Sequence, residues 1–393
     1  MKNNLVPLIL LIAIYSCHSP KADTPVLKES SAAFTVRHLS KQDSLHYHNA
    51  VTDVVEKSLL RGSFNGAILV AKDGDIVYER YVGVKDPRFK KDSITAQTPF
   101  QIASTGKTMT AAAVLKLWEG GLLSLDNEVT KYFPGFPYAG VTVKTLLNHR
   151  SGLPNYLYYM EKGKWVRTQQ ATNTDVLNTL MTWQPPKAAN ADRRFQYCNT
   201  NYVLLALIVE KVSGTSFPEY MKKTFFEPLG MNNSFVIGPN EQANHMMSFQ
   251  PNNALWSLDF SDGPYGDKNI YSTPRDLLVW DRALYDGKIL QQQTLDSAYT
   301  PYSNEKPGVR NYGLGWRMLN YPTGKKIIFH NGHWHGFNSA FSRLPDEKAT
   351  IIIISNKYNQ GVYSTAKKLY DVFGKYNGKD VDLTEQNAEG GGR

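Results

Sequence analysis

Residues 104–119 read STGKTMTAAAVLKLWE, and the stretch AAAVLKLW inside them is apolar on nearly every side. Such a pattern predicts a helix buried within the protein, not one lying on its surface. Working outward, the chain carries strand signals toward both ends. Upstream, 66–72 (GAILVAK) and 76–84 (IVYERYVGV) are rich in β-branched and aromatic residues and meet at Asp73-Gly74, a strong hairpin signal. Before them, Leu45, Val51, Val54, Val55 and Leu59 recur at helical spacing over 43–60, and Gly62 and Gly66 end that pattern. Downstream, 174–182, 200–213 and 217–224 predict helices. So does 273–286, entered through Ser272-Thr273-Pro274 with Asp276 in the first turn. Strands return at 313–321, 325–331, 338–344 and 349–355, with turns at Pro322-Thr323-Gly324 and Pro345-Asp346, and 361–374 predicts a last helix. Strands at both ends with helices between imply an α+β fold. Its sheet is built from both termini, a helical region is inserted mid-chain, and a site forms at the seam.

The bulk numbers set bounds. A chain of 393 residues can hold several domain-sized units or one large mixed domain, and it can bury a sizeable core without staples. Hydrophobic residues make up 41% and charged residues 20%, ordinary values for a globular protein. The net charge of +9 is spread along the chain with no dense basic block interleaved with aromatics, so nucleic acid is not an expected partner. No internal repeat is present. Long Gly-, Pro- and Asn-rich stretches at 132–141, 184–197 and 238–270 are expected to form functional walls or lids.

The N-terminus predicts export. Lys2 precedes an apolar run, Leu5 to Ile14, too short to stop in a bilayer. The run ends in Ile14-Tyr15-Ser16-Cys17, which resembles a bacterial lipoprotein lipobox. That resemblance makes Cys17 the expected lipid attachment site and implies a membrane partner through the anchor. It also implies a location in the exported cell envelope, periplasmic or outer-membrane-associated. The expected divisions are a signal at 1–17, a tether at 18–42, a folded domain at 43–376 and a flexible tail at 377–393. With Cys17 assigned to the anchor, Cys198 is the one thiol left in the body, so no intramolecular disulfide is expected.

Three short patterns could carry chemistry. In Ser104-Thr105-Gly106-Lys107 the hydroxyl and the amine lie at i and i+3, on one helix face. A serine hydroxyl needs a neighbour to take its proton, and a desolvated lysine can serve. A helix N-terminus adds N–H donors for developing negative charge. Alone, the pattern equally describes an N-cap serine and a solvated lysine. Tyr197-Cys198-Asn199 offers a phenol that can relay a proton beside a cation, and an amide that can orient a carbonyl; the plain alternative is a packed ring and a helix-capping Asn. Cys198 has no adjacent base and is expected to be a small buried residue rather than a nucleophile. His330-Asn331-Gly332 closes a predicted strand, where Gly admits close approach and His330 can add a positive or hydrogen-bonding group.

Competing chemistries fit less well. Gly106-Lys107-Thr108 would end a phosphate-cradling loop only with Gly at 101, where Gln101 stands. His330, His333 and His335 lack zinc-protease spacing, and strand alternation sets His330 opposite the other two. The Gly-x-Ser-x-Gly elbow is absent.

The order and spacing of the three patterns resemble the penicillin-binding protein and class C β-lactamase superfamily, with its D,D-peptidase and esterase branches. LLNHRSGLP (146–154), the stretch 197–231, YSTPRDLLVW (271–280), HNGHWHGFNS (330–339) and NGAILVAKDGDIVYERYVG (65–83) extend the likeness to about residues 45–373. The resemblance implies an antiparallel sheet flanked by helices with an all-helical lobe. It implies that Ser104 is acylated, that Lys107 and Tyr197 share general acid–base work, and that Asn199 holds the substrate amide. By the same resemblance, the backbone N–H groups of Ser104 and His333 form the oxyanion hole, with His330, Asn331 and Gly332 in the substrate-binding third motif. No metal or organic cofactor is implied.

The chain departs from the family pattern in places. True class C enzymes carry Lys-Thr-Gly where this chain has His330-Asn331-Gly332, which weakens attraction for a substrate carboxylate. Cys198 replaces a small Ser or Ala, and no acidic Ω-loop pattern is present. The expected activity is therefore a serine hydrolase acting on a small ester, amide or D-amino-acid peptide. A non-catalytic sensor or binding module and a weak class C-like β-lactamase are the alternatives. Loops at 155–170 and 238–270 are expected to supply the pocket walls, where Tyr156, Tyr158, Tyr159, Trp165, Trp256 and Tyr265 could line the cleft or simply pack.

Overall fold

The computed structural model describes residues 36–163 and 165–376. Cys17, the signal, most of the tether and the tail from 377 lie outside the described residues.

Seven antiparallel strands form one sheet in the order β2-β1-β12-β11-β10-β9-β8. They are β1 (Gly66–Lys72), β2 (Asp75–Val82), β8 (Arg310–Tyr312), β9 (Arg317–Asn320), β10 (Lys326–Trp334), β11 (Phe337–Leu344) and β12 (Ala349–Ser355). The first hairpin turns at Asp73 and Gly74, both at positive φ (50° and 86°), the backbone a tight two-residue hairpin requires. The two ends of the chain meet where β1 pairs with β12, Ile68 opposite Ile353 and Val70 opposite Ile351.

Alternation sets the two faces of the sheet. Ile68, Val70, Ile351 and Ile353 join a core with Val51 and Val55 of helix α1 (Lys41–Val55) and Leu369 of α11 (Gly361–Phe373). Ala67, Leu69, Ile352 and Ile354 face the opposite core, with Met109 and Val114 of α2 (Lys107–Glu119) and Trp280 of α9 (Pro274–Tyr285). The run Ile351–Ile354 is unbroken because both faces are covered. Across the second core, Arg343 of β11 and Asp281 of α9 form a buried ion pair; Asp281 also accepts from Thr350 Oγ1, and Arg343 Nη1 donates to Tyr299 Oη at 2.6 Å.

The inserted region is mainly helical: α3 (Val143–Leu147), α4 (Tyr156–Lys162), α5 (Asn173–Trp183), α6 (Asn199–Ser213), α7 (Phe217–Met221) and α8 (Glu227–Leu229). It is followed by α9 and α10 (Gln292–Ala298). Tyr156, Met160, Val176, Val203 and Phe260 form a separate small core there. A hairpin, β3 (Val84–Asp86) with β4 (Lys91–Ser93), and a ribbon β5-β7-β6 (Phe100–Gln101, Ile270–Ser272, Phe235–Val236) complete the strands.

Two expectations are corrected. The strand predicted over 313–321 starts only at Arg317: Gly313 N–H donates to the Trp316 carbonyl at 2.8 Å and Gly315 sits at φ 88°, so a turn over 313–316 separates β9 from β8. The stretch 155–170, expected as a loop, opens with α4, whose Asn155 cap accepts from Leu157 N–H. Among the described residues no helix is long and apolar enough to cross a membrane.

Candidate active site

Ser104 sits where the ribbon hands the chain to α2. Ile102 N–H donates to the Ile270 carbonyl at 2.9 Å, Ala103 takes a left-handed backbone (φ 48°), and a tight turn over Ala103–Gly106 leads into the helix. For a buried alanine that backbone is strained by about 1–2 kcal/mol. The turn is pressed onto β10 and β11. Thr105 Oγ1 lies 2.8 Å from Ser339 Oγ, which in turn donates to the Ile102 carbonyl at 2.6 Å. A Cβ on Gly332 would stand 2.2 Å from the Ile102 oxygen and 3.0 Å from Ser104 N, so only glycine admits this approach. The Ser104 amide thereby lies against the strand one residue before His333.

Lys107 is fully buried, and its Nζ donates to Ser104 Oγ at 3.0 Å and to the Asp267 carbonyl at 2.6 Å. It also lies 5.1 Å from the ring centroid of Tyr197. The Arg317 guanidinium stands 5.1 Å from the same ring. Two cations beside one phenol is a setting that favours negative charge on its oxygen. Tyr197 and Asn199 are carried by the entry into α6, which Cys198 caps. Burial pushes the Cys198 thiol up to about 11, and its Sγ points to the Leu153 carbonyl at 3.4 Å. It is held as a thiol.

Ser104, Tyr197, Asn199, Asp267, Lys268 and His333 surround a narrow cleft. Tyr197 is shared with an outer chamber of about 440 Å³, walled by Leu153, Asn155, Tyr158, Tyr159 and Pro185. Of the expected aromatics, Tyr158 and Tyr159 thus line a cavity, whereas Tyr156 is fully buried and Tyr265 stacks on Phe217 at 5.7 Å.

The third pattern behaves differently from expectation. His330 and Asn331 are buried, and neither lines the cleft. His330 Nδ1 donates to the Asn331 carbonyl at 2.7 Å, and Nε2 lies 3.2 Å from Tyr312 Oη. Burial, then the charges of Arg317 and Lys107, hold its pKa well below the usual histidine value, so it brings no positive charge to a substrate. His333 and His335 also part company. The strand ends at Trp334, His335 turns off at φ 52° and bonds Asp262 at 3.0 Å, and His333 packs on Tyr358. Among the described residues no group of His, Cys, Asp and Glu is arranged to hold a metal ion.

His149, within the LLNHRSGLP stretch, is a residue that sequence reasoning left without a part. It is fully buried at φ 56°, its Nδ1 accepts from Cys198 N–H at 3.2 Å, and its ring packs 4.3 Å from that of Tyr197. Burial, then Lys107, His330 and Arg317, keep it neutral. Two buried neutral histidines have a consequence for stability. Below about pH 6.5 an unfolded chain protonates them while the folded protein does not. The unfolded state then binds more protons, so stability falls as pH drops through 6.5, with a limiting slope of about 2.7 kcal/mol per pH unit for the pair. Urea midpoints measured from pH 7.5 to pH 5 are expected to decline accordingly; a flat profile would contradict the assigned protonation states.

A sheet from both chain ends, a helical insert, and a serine–lysine pair at the buried start of a helix define a serine hydrolase of the penicillin-recognising fold. The chain belongs to the Beta-lactamase family, whose profile matches residues 51–372. It is 32% identical over 335 residues to "Penicillin-binding protein 4*" of Bacillus subtilis, covering 79% of this chain and 74% of that protein. In structure it resembles a penicillin-binding protein from Bacillus halodurans (TM-score 0.71, 24% identity, 82% of this chain and 99% of that one). It also resembles the D-amino acid amidase from Ochrobactrum anthropi SV3 (TM-score 0.68, 23% identity, 83% and 98%).

Proposed function

We propose that this protein hydrolyses a small ester, amide or D-amino-acid peptide through an acyl-enzyme at Ser104. The observation that carries this is the 3.0 Å hydrogen bond from a fully buried Lys107 to Ser104 Oγ in the wall of a cleft. Ser104 Oγ attacks the substrate carbonyl carbon as its proton passes to the Lys107–Tyr197 pair. The tetrahedral oxygen accepts from the backbone N–H groups of Ser104 and His333, where one lost donor typically costs about 2.7–4 kcal/mol of barrier. The leaving group departs with a proton returned by the pair. Water then attacks the ester and regenerates the hydroxyl. Asn199 orients the substrate amide.

A buried, neutral His330 supports the ester and peptide branch over β-lactams, because the cleft lacks a third-motif cation for a substrate carboxylate. The test is a panel of a chromogenic cephalosporin, short acyl esters and D-alanyl peptides, with mass spectrometry of the trapped protein. Turnover of an ester or D-alanyl peptide with an adduct on the Ser104 peptide is expected. Fastest turnover on the cephalosporin would overturn the branch, and an adduct that persists without product would favour a sensor.

A further inference from the structure

We propose that His149 is a positioning residue for Tyr197, holding the phenol ring beside the Lys107 amine and the Arg317 guanidinium. Tyr197 is half-buried and lines both the cleft and the outer chamber, so close packing does not surround it on every side. A proton carrier at such a place needs its position fixed by specific contacts. One residue supplies them to three consecutive positions. The His149 carbonyl accepts from Gln196 N–H at 2.8 Å, and His149 Nδ1 accepts from Cys198 N–H at 3.2 Å. Its ring lies against the Tyr197 ring, 4.3 Å between centroids at a tilt of 38°. The backbone is thus pinned on either side of Tyr197, and the ring between is braced by the residue that pins it.

His149 is itself immobilised. Its N–H donates to the Leu146 carbonyl at 3.3 Å, and Asn201 Nδ2 lies 3.3 Å from its Nδ1. Asn201 is held in turn, accepting from Ser151 Oγ at 2.7 Å and donating to the Leu146 carbonyl at 3.2 Å. The rings of Tyr202 and Tyr312 stand 5.0 and 4.9 Å from the imidazole, and Tyr202 Oη donates to the Leu147 carbonyl at 2.8 Å.

Two costs are concentrated in this one residue. Its φ of 56° is a left-handed backbone, which a side chain other than glycine adopts only where its surroundings impose it. Because Nδ1 accepts, the hydrogen of the neutral ring lies on Nε2, which is buried with no hydrogen-bond partner among the described residues. Backbone strain and an unmade donor beside a reacting group mark a residue held for its position. Asparagine would suit the backbone and still accept from Cys198, and phenylalanine would keep a ring without the unmade donor. Histidine joins the acceptor to the flat ring.

The inference rests on the acyl-enzyme reading above, and the experiment separates the two. The rate constant for fluorophosphonate labelling of Ser104 is measured in the full chain, in His149→Asn, in Tyr197→Phe and in the double variant. Asparagine tolerates the left-handed backbone, so folding is expected to hold, and His149→Gly, which suits the same backbone, is the second variant. With Tyr197 present, either change at 149 is expected to slow labelling about 10- to 100-fold, the scale of an ångström's misplacement at a reacting group. Tyr197→Phe is itself expected to be about 10²–10⁴-fold slower. In that background the changes at 149 are expected to cost no more than about twofold, since no hydroxyl is left to misplace. A residue that only stabilises the fold would slow both backgrounds by the same factor, and that result overturns the inference. Unchanged labelling in His149→Asn and His149→Gly overturns it, as does wild-type labelling in Tyr197→Phe. Failure of wild-type Ser104 to label at all overturns the acyl-enzyme reading beneath it.

Discussion

Ser104→Ala is expected to lower turnover of the best substrate by about 10⁴–10⁶-fold and to abolish covalent labelling by a fluorophosphonate. The change removes the attacking oxygen while leaving the turn that holds it. That turn is fixed by neighbours other than the hydroxyl: Ile102 to Ile270, Thr105 to Ser339 and Ser339 to Ile102. The folded state is therefore expected to survive, and thermal melts alongside the assay separate chemistry from stability. Lys107→Ala is expected to cost about 10²–10⁴-fold and to slow labelling without abolishing it, because the nucleophile remains and only one member of the proton-handling Lys107–Tyr197 pair is lost. Full activity in Ser104→Ala would remove the acyl-enzyme from consideration, and an unchanged rate in Lys107→Ala would move the proton-handling role elsewhere.

The second large effect concerns stability. Asp281→Ala is expected to destabilise the protein by about 3–5 kcal/mol, since it leaves the Arg343 guanidinium buried without its counter-charge. Arg343 is 2% exposed and also lies 4.4 Å from the Tyr285 ring centroid, so it has no route to water. Thr350, which donates to Asp281, would lose its acceptor as well. The double change Asp281→Leu/Arg343→Met is expected to recover much of the loss, because it removes both charges and keeps the volume. Denaturant midpoints of the two variants check this; equal destabilisation of both would show that packing, not the uncompensated charge, dominates.

Much of this arrangement was legible from local pattern. The Asp73-Gly74 hairpin and the doubly buried run Ile351–Ile354 depend on backbone preference and alternation, which are properties of neighbours along the chain. The buried helix after Ser104 was equally readable, since an all-round apolar composition states its own environment. The pairing of Ser104 with Lys107 was visible because residues three apart on a turn meet regardless of the rest of the fold. Departures came where a residue's part depends on what other segments bring to it. His330 looked like a group at a strand end facing substrate; Tyr312, Arg317 and Lys107, remote in sequence, bury it and keep it neutral. The strand predicted over 313–321 begins only at Arg317, because Gly315 takes a positive φ against Ala111, where an added Cβ would come within 2.3 Å of that side chain.

By itself, then, the sequence determined the sheet, its first hairpin, the buried helix and the serine–lysine step, because short-range geometry enforces each of them. Only the tertiary structure decided which charges gather at the cleft and behind it. Asp267, Lys268 and Arg317 carry no local signature. Their environment exists only once the 238–270 segment, α4 and strands β9 and β10 close around Ser104, and electrostatics in a buried site follow distance in space rather than distance along the chain.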